Sequence, residues 1–443
     1  MPVNWSRFLP ILICLFLGTA AFAQPKDNSP YSRLGLGDLV APQFGASLGM
    51  GGLSAAYIDP YQLNLPNPAS LAFLNTTVFD VGMFVKYAGL KSGDESTPVW
   101  SGNLNYLALG FPLRNPISAQ LDRSVKPFRW GMAVSLQPFT NVDYDVQVNS
   151  EDPVLGAVRN NFQGTGGTYK LQWSNGFRYK NFAIGANLGF LFGQLNNSRE
   201  VLFVDNTQTY VDELTDEISV RGFVWNVGAQ YRHEFKKIEK GVAVPNGKSL
   251  TIGVYGHTAT PFNTNSTKLY RSIYPFYPSS AIDTFLTQVD VLEAGQLPSE
   301  YTVGIQYEVA NKFKIGAEYG QTNWNEYFNE AKEEVLIDSW SVAVGGEYIP
   351  NYNSYNSFAK RMRYRLGFRY ATDPRGFTTD LTQYSVSLGV GLPIISQRQQ
   401  TFVNLALELG RFGSTESLTE TFGKLTIGFT LNDNLWFFKR KFD

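Results

Sequence analysis

The stretch Tyr384-Ser385-Val386-Ser387-Leu388-Gly389-Val390-Gly391-Leu392 alternates apolar and small residues at every step. A period of two belongs to a β-strand, whose successive side chains point to opposite faces. One face carries Tyr384, Val386, Leu388, Val390 and Leu392, and the other Ser385, Ser387, Gly389 and Gly391. The wet face of a soluble sandwich would be rich in Lys, Glu and Thr. Here it is Ser and Gly, which suits a strand with lipid on one side and a barrel lumen on the other. An arginine at Val386 should then impair membrane insertion, whereas one at Ser387 should be tolerated.

The pattern recurs along the chain. Leu425, Ile427, Phe429 and Leu431 alternate with Lys424, Thr426, Gly428 and Thr430. Phe182, Ile184, Ala186, Leu188, Phe190 and Phe192 oppose Gly185, Asn187 and Gly189. Fourteen such segments can be read: 78–87, 104–113, 128–138, 169–179, 182–192, 217–231, 250–257, 300–309, 313–320, 337–349, 363–371, 382–392, 401–410 and 423–436. The count is even, as single-chain bacterial barrels require. Aromatics at segment ends, such as Tyr301 and Tyr307, Tyr364 and Tyr370, and Trp436 and Phe437, suit interfacial girdles. The fold class is therefore an all-β transmembrane antiparallel barrel of about 14 strands.

Connection lengths set its direction. The two shortest, Lys180-Asn181 and Ala310-Asn311-Lys312, fall at one end, and the two longest, about 140–168 and 258–299, at the other. Short periplasmic turns and long outer loops are the rule for this class.

Composition agrees. Of 443 residues, 43% are hydrophobic and 15% aromatic, and only 17% are charged, against about a quarter in soluble proteins. A net charge of -1 gives no reason to expect nucleic acid as a partner. Arg7, the apolar run Phe8 to Leu17 and Ala21-Phe22-Ala23 read as a secretory signal over 1–23, with the mature chain starting at Gln24. Cys14, the only cysteine, lies in that signal, so the mature chain has no thiol chemistry or disulfide. The expected location is the outer membrane of a Gram-negative-type cell.

Residues 24–77 lack strand periodicity. They are punctuated by Gly35-Leu36-Gly37-Asp38, Gly49-Met50-Gly51-Gly52 and Asn67-Pro68-Ala69-Ser70, and they are too apolar for a solvated tail. A segment of this kind before a barrel over 78–443 is expected to fill the lumen as a plug. Pro68 fixes its own φ and pushes Asn67 toward an extended conformation, so a turn that seats the plug explains the motif as well as a direct ligand role.

Gly49-Met50-Gly51-Gly52, Ala55-Ala56-Tyr57 and Asn67-Pro68-Ala69, placed just before the first strand, resemble the FadL-type transporter family of hydrophobic compounds. The motif match covers about residues 45–87. The resemblance implies a 14-stranded barrel with an N-terminal hatch, capture of ligand by apolar outer loops and sideways release into the bilayer. It marks Gly49, Gly51, Gly52, Asn67, Pro68 and Ala69 as the hatch motif. Tyr270, Tyr274, Phe276 and Tyr277 are candidate capture residues, with loop-on-loop packing as their plainer role.

With the apolar faces outward, Glu308, Glu318, Glu347, Arg365, Arg369 and Glu408 point into the lumen, as a mutually paired network or as a polar gate. On the lipid face each charge would cost about 2–4 kcal/mol near the midplane. His257 shares a strand face with Thr251, Gly253 and Tyr255, which points it toward the lumen, and His233 lies in the charged turn Arg232-His233-Glu234. No Gly-x-Ser-x-Gly elbow, His-Glu-x-x-His or metal-ligand spacing occurs, so no catalytic, metal or cofactor site is expected. Trp436-Phe437-Phe438 resembles the terminal signal read by the barrel-assembly machinery, although Lys439 to Asp443 follow it. The expected function is uptake of small hydrophobic compounds such as long-chain fatty acids. A non-transporting partner barrel of a secretion complex of the type IX kind is the alternative. The plug-like segment argues against a third option, a general porin.

Overall fold

The computed structural model describes residues 29–433 apart from 114–126, 155, 206–209, 240–241, 275–281, 377–380, 397–398 and 415. The expected signal segment, Cys14, the Gln24 start, Phe276, Tyr277 and Trp436-Phe437-Phe438 lie outside the described residues.

The first nine strands are β1 (Asp38–Leu39), β2 (Thr77–Ser92), β3 (Glu95–Pro112), β4 (Phe128–Asp152), β5 (Gly156–Tyr179), β6 (Phe182–Phe203), β7 (Val211–Glu239), β8 (Val242–His257) and β9 (Thr260–Ile273). The rest are β10 (Ile282–Leu297), β11 (Ser299–Val309), β12 (Phe313–Asn323), β13 (Phe328–Asn329), β14 (Ser339–Tyr348), β15 (Arg363–Asp373), β16 (Leu381–Ser396), β17 (Gln399–Gly413) and β18 (Thr419–Asp433). All except β1, β9, β10 and β13 form the barrel wall. That makes fourteen strands, and β18 returns to β2 to close the ring. Among the described residues no helix is long and apolar enough to cross a membrane.

Burial along the wall is the reverse of that in a soluble sheet. In β16, Val386 and Leu388 are 45% and 50% exposed, whereas Ser385 and Ser387 are 3% exposed. Lipid is the only solvent that favours this arrangement over many strands. Rings cluster at both rims of the apolar belt. Trp130 meets Phe177 at 5.1 Å and Tyr307 meets Phe313 at 5.8 Å near the short turns, and Tyr87 meets Trp100 at 4.9 Å and Trp340 meets Tyr370 at 5.2 Å near the long hairpins.

Val386→Arg should cost about 2–4 kcal/mol and suppress the heat-modifiable folded band on a gel. The inward control needs care. Ser387 does point inward, but its Oγ accepts the Gly51 N–H at 2.9 Å and the lumen is filled at that level. Ser387→Arg is therefore not the tolerated change that alternation alone implies. Gln383→Arg, which enters an open cavity, is the proper control. Equal loss of folded protein from Val386→Arg and Gln383→Arg would contradict this facing.

The described residues of 140–168 and 258–299 are mostly strand and not loop. β4 and β5 stay paired out to Asp152 and Gly156, and β9 and β10 form a hairpin whose β9 pairs with β7. On the inner faces of these hairpins Val142, Tyr144, Phe262 and Leu297 are buried in one cluster with Leu36, Trp324 and Leu336. The same buried faces also carry Thr140, Thr264 and Ser266, so the regular alternation that betrays the wall is missing.

Candidate functional site

The lumen is built around residues 29–76. This segment starts at the end of the barrel that bears the long hairpins. Tyr31 Oη donates to Leu418 O at 2.7 Å, and Arg375 is held by Asp373, Asp38 and the Tyr31 carbonyl. The loop after β12 folds over it. The Glu334 carboxylate accepts the Gly35 N–H, and Leu36 is buried with Trp324, Tyr327 and Leu336. The segment ends at the opposite end, where Arg129 donates to Asn75 Oδ1 at 3.1 Å, and passes directly into β2.

Between these ends the segment touches the wall backbone to backbone. A Cβ added to Gly176 would strike Pro68 O, and one added to Gly185 would strike Ala69 N. Likewise Gly253 faces Ala55 O, Gly345 faces Met50 O, Gly367 faces the Gly51 amide and Gly389 faces Gly49 Cα. Glycines on the inward faces of many strands thus mark one level of the barrel. Their role is the close approach of a second backbone.

Gly49, Gly51, Gly52, Asn67, Pro68 and Ala69, which the family resemblance marks out, sit in this contact layer. Asn67 caps a short 3-10 helix over Pro68–Phe73, with its Oδ1 accepting the Ala69 N–H at 3.2 Å and its Nδ2 donating to Ala55 O at 2.7 Å. Pro68 occupies the first helical position, where a missing N–H costs nothing. Gly51 and Gly52 hold φ of 70° and 84°, the left-handed region that favours glycine, where the chain reverses after the one-turn helix Gly45–Leu48.

A buried ionic cluster anchors the segment. Asp59 meets Arg363 Nη1 at 2.7 Å and Lys314 Nζ at 3.2 Å. Glu347 meets Arg365 Nε at 2.8 Å and Arg363 Nη1 at 3.7 Å, and Arg365 Nη1 donates to Asn404 Oδ1 at 2.7 Å. Around the wall, Glu308, Lys314, Glu347 and Arg365 are directly opposed on adjacent strands with alternating sign. Burial acts to raise the Asp59 carboxyl pKa. Arg363 and Lys314 outweigh it and hold the carboxyl well below the usual range.

Of the six charges read as lumenal, Glu347 and Arg365 are in this cluster. Glu308 is at its edge, 3.4 Å from Arg232 and 4.0 Å from Lys314. Glu318 accepts the Ser54 and Ala55 N–H groups at 2.7 and 3.0 Å. Arg369 and Glu408 line a cavity of about 390 Å³ between the segment and the long-hairpin end, together with Phe84, Lys86, Phe422 and Lys424. His257 lines it too, 3.9 Å from Glu300, whereas His233 packs edge-on against Phe235 in the opposite turn. Tyr270 packs on Phe285 at 6.0 Å and Tyr274 on Tyr210 at 5.7 Å, and neither lines the cavity. Asp59, Lys314 and Arg363 were not singled out from the sequence. The signal for Arg363 was its place two residues before Arg365, on the same strand face.

The wall has a seam. Among the described residues β3 meets β4 only over residues 107–112 and 131–136. Beyond Tyr106 the two strands part, and β1 enters the gap with Asp38 opposite Asn141 and Leu39 opposite Thr140. Val40 N–H donates to Phe139 O at 2.9 Å. Leu39 is 37% exposed, and it lines the cavity described above together with Ala41 and Pro42, so the N-terminal segment fills the gap where the cavity meets the wall.

Comparison with known proteins follows this geometry. The BamG family model matches residues 6–443. The chain belongs to the BamG family. No curated relative matches it. Among solved structures, this BamG-family barrel is similar in fold to a Pseudomonas putida toluene transporter, TodX (14% identity, 89% of this chain and 99% of that chain, TM-score 0.54). It is similar also to a Pseudomonas aeruginosa FadL homologue (14%, 89% and 99%, 0.53) and to the CymD monoaromatic hydrocarbon channel (14%, 88% and 97%, 0.52). The barrel thus has the fold of the FadL-type barrels.

Proposed function

We propose that this chain is an outer-membrane channel for small hydrophobic compounds, long-chain fatty acids among them, with residues 24–77 as its hatch and 78–443 as its barrel. The observation that carries this reading is the seam between β3 and β4, filled by residues 38–42. An apolar cargo entering from outside needs a way out that avoids water, and a gap in the wall at lipid depth supplies one. In this reading the Asn67-Pro68-Ala69 turn keeps the lower hatch seated, the Gly49, Gly51 and Gly52 reversal lets the upper part shift, and Arg369 and Glu408 stand in the entrance cavity.

Leu39 and Thr140 are directly opposed strand partners, and opposed Cβ atoms lie within about 4.5–5.5 Å, close to disulfide reach. In a Leu39→Cys, Thr140→Cys double variant, oxidation should abolish uptake of a labelled fatty acid or toluene into proteoliposomes, and reduction should restore it. Unchanged uptake in the oxidised protein would rule out the seam as the exit.

A second reading, a non-transporting partner barrel, is favoured by one observation: the lumen is closed by backbone contact and a buried ionic cluster, a costly arrangement for a part that must move. It requires that uptake be absent in the unmodified protein and that a defined protein complex copurify.

A further inference from the structure

We infer that the seam between β3 and β4 is an acceptor for an extended polypeptide strand from another membrane protein, with β1 as its internal occupant. The inference goes beyond the channel reading and does not depend on it.

Lipid cannot satisfy backbone N–H and C=O groups, so an open sheet edge is not stable at membrane depth. Over residues 95–106, β3 is paired with β2 on one side, and among the described residues no strand pairs with its other side. Residues 101–106 lie beside residues 82–86 of β2, and Met83 and Val85 there are exposed to lipid. The Tyr87–Trp100 ring pair marks the outer rim just beyond. The gap is therefore in the outer half of the apolar belt.

Side chains replace the missing ladder only in part. Asn103 Oδ1 accepts the Leu104 N–H at 2.7 Å, Asn103 Nδ2 donates to Asn141 Oδ1 at 3.4 Å, and Asn105 Nδ2 donates to Gln43 O at 3.3 Å. β1 supplies two ladder positions on β4 and one further bond from Val40. An edge that takes a two-residue strand from inside can take a longer one from outside. The occupant must be apolar on the face toward lipid and small or amide-bearing on the face toward Asn103, Asn105 and Gln137. Those are the features of a transmembrane β-strand. Antiparallel to β4 as β1 is, it would run parallel to β3.

The test uses the full mature protein in lipid nanodiscs and a benzophenone-labelled peptide copying residues 381–392, with the same residues scrambled as comparison. Photocrosslinks mapped by mass spectrometry should fall on residues 101–106 and 137–141. They should drop about tenfold when the Leu39→Cys, Thr140→Cys pair is oxidised, because the edge is then occupied. Val40→Pro removes the donor to Phe139 O and should increase them. Crosslinks scattered around the wall, equal yields from the scrambled peptide, or no response to either the lock or Val40→Pro would overturn the inference. None of these readouts depends on uptake, so a failure here and a failure of the channel reading are separable.

Discussion

Asp59→Ala should detach the N-terminal segment from the wall at a cost of about 3–5 kcal/mol, the range for removing one member of a buried ion pair. Asp59 is 3% exposed and faces Arg363 and Lys314 together, and its Oδ1 accepts the Tyr61 N–H at 2.9 Å. Alanine leaves two cations near one another with Glu347 and Glu308 as the remaining carboxylates. The change should appear as protease sensitivity of residues 29–76 and a lower urea midpoint, with the barrel still folded. Acid should act in the same direction. Because the folded carboxyl is held below its ordinary value, its contribution is complete above a pH of about 4 and fades as pH falls from there toward the depressed pKa. A segment as protease-resistant in Asp59→Ala as in the unmodified chain would show that the cluster does not anchor it.

Gly367→Leu should displace the same segment by a different route. A Cβ at Gly367 would overlap the Gly51 amide, Gly51 Cα and the Met50 carbonyl carbon, all backbone atoms of the opposing segment. Overpacking costs about 1–3 kcal/mol where neighbouring side chains can move aside. Here no side chain is in the way, so the segment itself must shift, and single-channel conductance should rise. Gly89 is the matched control, since a Cβ there meets nothing within 4 Å. Gly89→Leu should leave both conductance and protease resistance unchanged. Similar behaviour of the two variants would mean that backbone contact at the glycine level does not hold the segment.

Much of the wall was legible because a two-sided strand writes its environment into alternate residues. Tyr384 to Leu392 gave both the strand and its facing, and fourteen such runs gave the barrel. The hairpins over 140–168 and 258–299 were not legible as strands, since their buried face mixes Val142, Tyr144 and Phe262 with Thr140, Thr264 and Ser266 and carries no regular contrast. The inward glycines were legible only as small residues. That many of them share one level and receive a second backbone depends on register, and register follows from pairing across strands far apart in sequence.

The same division holds at the site. The sequence by itself determined that Glu347 and Arg365 face inward, because each takes its phase from its own strand. Missing periodicity likewise set the stretch before the first wall strand apart, and the described part of it, residues 29–76, lies inside the barrel apart from the two-residue strand Asp38–Leu39. The sequence could not determine that Asp59 meets Lys314 and Arg363, or that Leu39 lies opposite Thr140 in a gap between β3 and β4. Those pairs join the N-terminal segment to strands about 100 to 300 positions away along the chain. Only closure of the barrel around the segment sets their distances, and no local period records a contact made across a lumen.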